Sequence, residues 1–285
     1  WSTQNNSPRT LVTLTRTLVD GTEVGETFLS IKNNNPTGSV TRTISEGLIH
    51  TFKLYTGEKD LDVLGDLLDT VIVYGGDVLV YTDVAWVNAV AMDGTTAAKD
   101  VYIFDNLTLS SNVEINNLEV APGGSLTINA GVSLKVNGTS SGNVTYNTTL
   151  GTENWYLVSS PVAGETYDGA YVTANSLANG TNNAIATYTT GTNTWSYMQT
   201  GGGATFIPGT GYSVRRATAA GSGTISFTGT INTSDVAASV VLGGTGGFNL
   251  IGNPFTAYLN SASFLTGNTT NLVSETIWVW NQAAG

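Results

Sequence analysis

The chain has 285 residues, a formal net charge of −11 and only 11% charged residues, against about 25% in an average soluble domain. The negative charge excludes a typical nucleic-acid binder and a protein that docks on an anionic membrane, because both need a basic surface. No apolar run reaches the roughly 18 residues of a spanning helix, so no membrane span is predicted. The absence of cysteine excludes a disulfide framework and a cysteine metal site.

The first hundred residues are predicted to form an N-terminal β-rich domain, 1–100. Apolar and polar residues alternate in four segments, which predicts strands: Thr10–Val19, Thr27–Lys32, Ser39–Ile44 and Ile49–Tyr55. The exception is Glu58–Asp69, where Leu61, Leu64 and Leu68 recur at helical spacing. We therefore expect one short helix at Glu58–Asp69.

Residues 101–146 contain short apolar–polar–apolar segments separated by Asn, Ser or Gly. These segments are Leu107–Leu109, Val113–Ile115, Leu118–Val120, Leu126–Ile128 and Val132–Val136. A strand of three to five residues cannot close a core alone, but strands stacked as rungs bury a shared apolar column. The pattern predicts a short β-solenoid, with a tight β-meander as the alternative because the spacing is irregular.

Residues 147–285 contain two pairs of matching segments, which indicate an internal sequence repeat. Asn154–Val162 (NWYLVSSPV) matches Gly247–Phe255 (GFNLIGNPF), and Asn183–Tyr188 matches Glu275–Trp280 at nearly the same offset. This predicts a duplicated β-sandwich-type unit whose second copy is truncated, so that the chain is expected to be a fragment of a longer one. The predicted fold is all-β and elongated, with the N-terminal domain, the solenoid-like segment and the duplicated unit in series.

Four motifs of the C-terminal region resemble a region of exported, adhesin-like cell-surface proteins of the Bacteroidota. They are NWYLVSSPV at 154–162, PGTGY at 208–212, GFNLIGNPF at 247–255 and IWVWN at 277–281. The resemblance covers about 101–285 and implies substrates of the type IX secretion system. It therefore implies an extracellular or cell-surface location, with outer-membrane components of that system as partners during export. It does not specify an activity, since adhesins and secreted hydrolases share the region.

The sequence contains no coherent catalytic set. His50 is the only histidine, and it lies in a strand pattern without a nucleophile-elbow motif elsewhere in the chain. We predict no catalytic residue here and place any catalytic domain outside this chain. The remaining alternative is an enzyme of unrecognised type within residues 1–100.

Two polar features of residues 58–70 are candidate sites. Asp60, Asp62 and Asp66 supply the hard oxygen ligands that Ca²⁺ prefers, and the alternative is a solvated helix face. Calcium is the only cofactor that these residues suggest. Thr70 follows an Asp and precedes a Val, a triplet that resembles the O-glycosylation site of exported Bacteroidota proteins.

Aromatic residues of the C-terminal region are candidate sugar contacts, since aromatic rings stack on sugar rings. Trp195 alternates with Tyr197, and Trp278 with Trp280, so each pair is expected to share one strand face. Tyr212 completes the candidate set. The alternative is that these rings pack in the core of the β-sandwich.

These observations favour a secreted cell-surface protein with a structural or adhesive role, in contact with glycans or with neighbouring copies of itself. The alternative function is a carbohydrate-binding accessory region of a secreted polysaccharide-degrading enzyme.

Overall fold

The computed structural model describes residues 9–17, 23–32, 49–58, 61–74, 78–87, 91–219, 221–243, 247–274 and 276–279. In the first four ranges it describes the backbone and, of the side chains, Leu67 alone. The chain divides into two compact units, Trp1–Val78 and Leu79–Gly285. With 39% strand and 7% helix, the structure confirms the all-β prediction.

The first unit contains a four-stranded antiparallel sheet with the order β2-β1-β3-β4. Its strands are β1 (Arg9–Thr17), β2 (Glu23–Lys32), β3 (Ile49–Glu58) and β4 (Leu61–Tyr74). The predicted strand Ser39–Ile44 lies outside the described residues. The other three predicted strands coincide with β1, β2 and β3 to within a few residues.

The predicted helix at Glu58–Asp69 is wrong, because these residues belong largely to β4. That strand pairs with β3 over nearly its whole length, from Leu61 opposite Glu58 to Tyr74 opposite Ile49. Gly65 costs about 1 kcal/mol in a helix interior, and the β-branched run that follows favours an extended chain. Pairing with a neighbouring strand therefore outweighs the helical spacing of three leucines.

The second unit contains the remaining elements, most of them short strands. The strands are β5 (Val78–Thr82), β6 (Ala85–Trp86), β7 (Asp100–Ile103), β8 (Asn106–Leu109), β9 (Val113–Ile115), β10 (Leu118–Val120), β11 (Ser125–Ile128), β12 (Leu134–Val136), β13 (Ser140–Ser141), β14 (Val144–Thr149), β15 (Trp155–Val158), β16 (Val162–Ala163), β17 (Thr166–Tyr167), β18 (Asn182–Thr189), β19 (Thr194–Gln199), β20 (Ala204–Thr205), β21 (Tyr212–Arg215) and β22 (Thr224–Ile231). The two helices are α1 (Gly169–Ala174) and α2 (Ser261–Gly267).

Residues 78–146 form a β-solenoid of about three turns, which confirms the solenoid and not the meander. Each turn contributes one strand to each of up to three stacks. The first stack is β7, β10 and β13, the second is β8, β11 and β14, and the third is β9 and β12, all parallel. In-register stacking places equivalent residues of successive turns directly over one another.

The solenoid interior consists of aliphatic columns. In the second stack Leu126 pairs with Leu107 on one side and with Val144 on the other, and Ile128 pairs with Leu109. Leu126 is only 1% exposed. Each three- or four-residue strand is thus stabilised by the turns above and below it rather than by its own length.

The solenoid corners are held by polar side chains at equivalent positions of successive turns. Asn117 donates from Nδ2 to Asp100 Oδ1 at 2.8 Å, and its Oδ1 accepts from the backbone N and Oγ1 of Thr139 at 2.7 and 3.0 Å. Asn117 therefore connects three turns. A second corner repeats the device with a single bond, from Ser125 Oγ to Asn106 Oδ1 at 2.7 Å.

The last turn of the solenoid continues directly into a β-sandwich. Strand β14 pairs in parallel with β11 on one edge and antiparallel with β22 on the other, and β22 pairs antiparallel with β16. On the third stack, Thr256 exchanges backbone and side-chain hydrogen bonds with Leu134, where a further turn would lie. The edge of the solenoid is thereby covered.

The sandwich faces the β22 sheet with a four-stranded antiparallel sheet of the order β15-β21-β18-β19. The core between them is aromatic: Phe206 lies with ring centroids 4.8 Å from Tyr212 and 5.3 Å from Phe227. Ile185 and Val214 complete it from β18 and β21. This core explains the wealth of aromatic residues in the C-terminal half.

The matching segments 154–162 and 247–255 of the sequence repeat lie next to each other. Residues 155–158 form β15 and pair with β21. The second segment contacts the residues just before β21: the backbone N of Gly211 donates to the carbonyl of Leu250, and Ile251 forms an isolated β-bridge with Thr210. Ser159 Oγ donates to the carbonyl of Asn253 at 3.0 Å. A Cβ on Gly252 would lie 2.1 Å from Ser159 Cβ, so this close approach requires glycine.

Replacing Asn117 with alanine tests the corner device. Asn117→Ala removes three hydrogen bonds that connect three turns, so we expect the free energy of unfolding to fall by about 1–3 kcal/mol. Asn106→Ala removes one exposed hydrogen bond and is expected to cost less than about 1 kcal/mol. Urea unfolding followed by circular dichroism measures both. Equal losses in the two variants would contradict the role assigned to Asn117.

The pKa values of two glutamates in the solenoid are shifted in opposite directions. Burial raises the pKa of Glu119, whose Oε2 is buried without a hydrogen-bond partner among the described residues. Hydrogen bonds from Lys135 and Asn137 lower the pKa of the exposed Glu114, whose Oε1 lies 2.7 Å from Lys135 Nζ. The raised pKa means that Glu119 favours folding below its ordinary pKa and loses this contribution as the pH rises through the raised value. The lowered pKa means that Glu114 stabilises the fold above its ordinary pKa.

These opposite signs predict opposite effects of two matched variants. At about pH 7, Glu119→Gln should raise the melting temperature and Glu114→Gln should lower it. The Glu119 difference should shrink as the pH falls through its raised pKa toward the ordinary value of about 4.3, whereas the Glu114 difference should shrink only as the pH falls through its lowered pKa. Thermal melts across this range measure the two profiles. A lower melting temperature for Glu119→Gln at neutral pH would contradict the prediction.

Candidate functional site

The outer face of the sheet β15-β21-β18-β19 carries exposed aromatic side chains. The pairing places Tyr188 opposite Trp195 and Ala186 opposite Tyr197, so all four share one face. Through Ser213, which pairs with both Ala186 and Leu157, the same face extends to β15. We call the following set the aromatic face: Trp155, Leu157, Ala186, Tyr188, Trp195, Tyr197, Ser213 and Arg215.

Four rings of the aromatic face form two contacting pairs. The centroids of Tyr188 and Trp195 lie 5.1 Å apart with the ring planes at 53°. Those of Trp155 and Tyr197 lie 5.5 Å apart at 63°, an edge-to-face arrangement. Trp195 and Tyr197 are each 40% exposed. The rings are therefore accessible to solvent and fixed by their neighbours.

Two small residues form the floor beneath the rings. Two strands, β21 and β18, separate β15 from β19, yet the rings of Trp155 and Tyr197 meet. Both rings must therefore lean inward across the sheet, over Ser213 and Ala186. This explains why Ala186 is only 1% exposed on an outward face. Larger side chains at either position would occupy the space of the rings.

Polar groups border the aromatic face at both ends. Arg215, opposite Trp155, donates from Nε to the carbonyl of Glu153 at 2.7 Å. The hydroxyl of Tyr188 donates to Asn193 Oδ1 at 2.6 Å in the β18–β19 turn. The guanidinium and the phenol are thus held in place, which combines flat apolar surface with oriented hydrogen-bonding groups.

The predicted sugar contacts are not brought together as one set. Trp195 and Tyr197 share a face, as their alternation predicts. Tyr212 lies in the sandwich core at 1% exposure, where its hydroxyl accepts from the backbone N of Ile207 at 2.9 Å. Trp278 is 75% exposed and contacts Phe248, outside any strand, whereas Trp280 lies outside the described residues.

The five predicted sugar contacts include neither Trp155 nor Tyr188. Tyr188 lies opposite Trp195, and Trp155 reaches Tyr197 only because of the strand order in the sheet. The signal for Tyr188 was present in the short turn between two alternating strands, which predicts a cross-strand partner for Trp195. No local signal identifies Trp155.

The candidate calcium and glycosylation residues lie in the first unit. Asp62, Asp66 and Thr70 belong to β4, and Asp60 lies outside the described residues. His50 belongs to β3, opposite Arg16 and Val73. Within the part of the chain described by the structure, no three His, Cys, Asp or Glu side chains form a group that would hold a metal ion. The calcium and glycan assignments stay predictions.

A second outward surface, which like the aromatic face belongs to the second unit, is polar and uncharged. Thr108, Thr127, Thr145 and Thr228 pair in register across four neighbouring strands, and the hydroxyls of the last two lie 3.0 Å apart. We call this column the threonine face. Asn and Ser side chains flank it, in the bonded pairs Asn106–Ser125 and Asn147–Ser226.

The titratable groups of the sandwich include the buried Tyr171 and the half-buried Glu165. Burial raises the pKa of Tyr171, whose hydroxyl has no hydrogen-bond partner among the described residues. Burial also raises the pKa of Glu165, although the backbone amides of Thr166 and Thr228 donate to its carboxylate. Both groups connect elements of the sandwich and lie away from the aromatic face.

Comparison with known proteins places the second unit in a family. Among the described residues, no helix is both long and apolar enough to cross a membrane. No curated protein and no solved structure matches the chain. Residues 77–285 match a family described as Domain of unknown function (DUF8693). Since the match spans most of the chain, including the solenoid, the sandwich and the aromatic face, the chain belongs to the DUF8693 family.

Proposed function

We propose that the chain is a structural and adhesive component of a bacterial cell surface, exported by a type IX-like route. The observation that carries the proposal is the presence of two outward surfaces on one compact unit, a face of threonines and an aromatic face bordered by Arg215. The threonine face presents hydroxyls and the aromatic face presents rings. Adhesion needs such contact surfaces on a rigid support, and it needs no converging ionisable groups.

The rigidity of the support follows from the way the turns are connected. Strands of successive turns pair in register, and Asn117 joins three turns at one corner. Because β14 belongs to both the solenoid and the β22 sheet, the threonine face lies on one continuous hydrogen-bonded sheet, and the sheet of the aromatic face packs against it through the shared core. A scaffold of this kind suits a protein that projects or attaches.

Surface location is supported by composition and by the motifs shared with exported Bacteroidota proteins. The chain has no cysteine and only 10 Lys and Arg residues. The two motif segments contact each other through Ser159 and Asn253, so they act together as one element of the unit. Outer-membrane secretion components are the proposed partners during export, and neighbouring copies are proposed partners at the surface.

A second candidate function is that of a carbohydrate-binding accessory region of a secreted polysaccharide-degrading enzyme. The aromatic face favours it, because exposed rings beside fixed polar groups suit sugars. The two candidates share a secreted location and differ in whether a catalytic domain accompanies the chain.

The export proposal predicts where the protein is found in its native bacterium. Antibody labelling of intact cells and proteinase K digestion from outside should detect it on the surface. In a strain without the type IX outer-membrane translocon, we expect the protein to accumulate inside the cell envelope and the external signal to fall at least tenfold. A deletion strain should attach less to surfaces than the parent strain.

A periplasmic protein of the same bacterium is the control for cell integrity, since it should resist external proteinase in both strains. Detection of the protein in the cytoplasm, or unchanged surface labelling in the translocon mutant, would contradict the export route. Normal attachment by the deletion strain would contradict the adhesive role and leave the accessory-region candidate in place.

A further inference from the structure

We propose that the aromatic face binds a neutral polysaccharide, with sugar rings stacked on the two ring pairs. This inference rests on the proposed surface function and names the ligand class that the surface would recognise. The ring pairs are Tyr188 with Trp195 and Trp155 with Tyr197. Neither Trp155 nor Tyr188 belongs to the five predicted sugar contacts.

The small size of the aromatic face argues against a second protein as its occupant. A stable protein interface buries about 800 Å² on each partner. Here the most exposed rings, Trp195 and Tyr197, are only 40% accessible, and the floor residues beneath them are already covered. An exposed surface of four rings and Leu157 is suited to a ligand of a few sugar rings.

The aromatic face combines apolar rings with hydrogen-bonding side chains, which is the combination that binds a sugar. A pyranose ring presents C–H groups on its faces and hydroxyls around its rim, so it needs an apolar platform bordered by hydrogen-bonding groups. Arg215 and the Tyr188–Asn193 pair supply such groups beside the rings. Since these side chains are already held in place, little conformational entropy is lost on binding.

The length of the platform favours a polymer over a single sugar. Trp195 and Tyr197 are two residues apart on β19, which separates them by about 7 Å along the strand. Each belongs to a different ring pair, so the two stacking positions follow one another in the direction of the strand. A chain of at least two sugar residues can occupy both positions, whereas a monosaccharide occupies one.

Charge favours a neutral ligand. The chain carries a net charge of −11, which disfavours a polyanion at long range. The cation on the face, Arg215, is anchored to the carbonyl of Glu153, whose own carboxylate accepts from the backbone N of Ala219 at 2.9 Å. The Glu153 residue that binds the Arg215 guanidinium thus also carries a carboxylate, and this negative charge disfavours an anionic ligand.

The test is binding of the full chain to soluble polysaccharides by affinity electrophoresis, calorimetry and tryptophan fluorescence. The panel contains neutral β-glucan, xylan and mannan, anionic alginate and pectin, and free glucose. We expect at least one neutral polymer to bind, with glucose at least tenfold weaker. Binding should change little between low and moderate salt, because stacking is not screened.

Variants identify the surface that binds. Trp195→Ala and Tyr197→Ala should each weaken binding about tenfold, and Tyr197→Phe should keep it because the ring remains. Tyr258→Ala is the matched control, since Tyr258 is an exposed aromatic residue whose hydroxyl contacts Gly131 of the solenoid. Melting curves of all variants verify that they fold.

Four outcomes would overturn the proposal. They are no binding of any neutral polymer, tighter and salt-sensitive binding of an anionic polymer, unchanged binding by Trp195→Ala, and a dimer of the parent chain that Trp195→Ala dissociates. The last outcome would assign the face to a second copy. Each leaves the export proposal intact, because surface labelling is measured separately; failed export with retained glycan binding would instead overturn the surface location alone.

Discussion

The unpaired edge that a solenoid leaves at its last turn is the constraint on which this structure depends. A three-turn stack of short parallel strands leaves the aliphatic columns of its last turn open unless another element covers them. At the C-terminal end, β14 meets this need by pairing antiparallel with β22, and Thr256 bonds Leu134 on the third stack. The sandwich is therefore the element that covers the solenoid edge, and residues 79–285 form one compact unit for this reason.

The same connection determines where each kind of surface lies. The outward side of β14 belongs to the threonine face, whereas its inward side joins columns that end in the aromatic core of the sandwich. Phe206, Phe227 and Tyr212 pack in that core, whereas four other rings lie on the far side of the opposing sheet, those of Trp155, Tyr188, Trp195 and Tyr197. The rings of the aromatic face are held by contacts with one another and, for Tyr188, by a hydrogen bond to Asn193.

Local pattern was sufficient for the short strands of the solenoid, although it left a β-meander open, and it was insufficient for the aromatic face. The triplets from Leu107 to Val136 alternate strictly, and a period-two triplet between Asn, Ser and Gly has few alternatives to a stacked strand. Glu58–Asp69 satisfied both a helical and an extended pattern, and pairing with β3 decided between them. Trp195 and Tyr197 were identified by alternation on one strand. Tyr212 alternates as well, but it faces the core because of the side of the sheet that β21 presents, and only the assembled sheets reveal that side.

Trp155 shows why an aromatic surface of this kind is difficult to predict from the sequence. It reaches Tyr197 across two intervening strands because those strands carry Ser213 and Ala186, whose small side chains leave room for leaning rings. The platform is therefore specified jointly by the two rings, the two small residues and the strand order. None of these is a motif by itself, and a serine or alanine in a strand is normally unremarked. Substituting either small residue would change the surface as much as removing a ring, since bulk at the floor forces the rings apart. The shape of the face depends as much on the small residues beneath the rings as on the rings themselves.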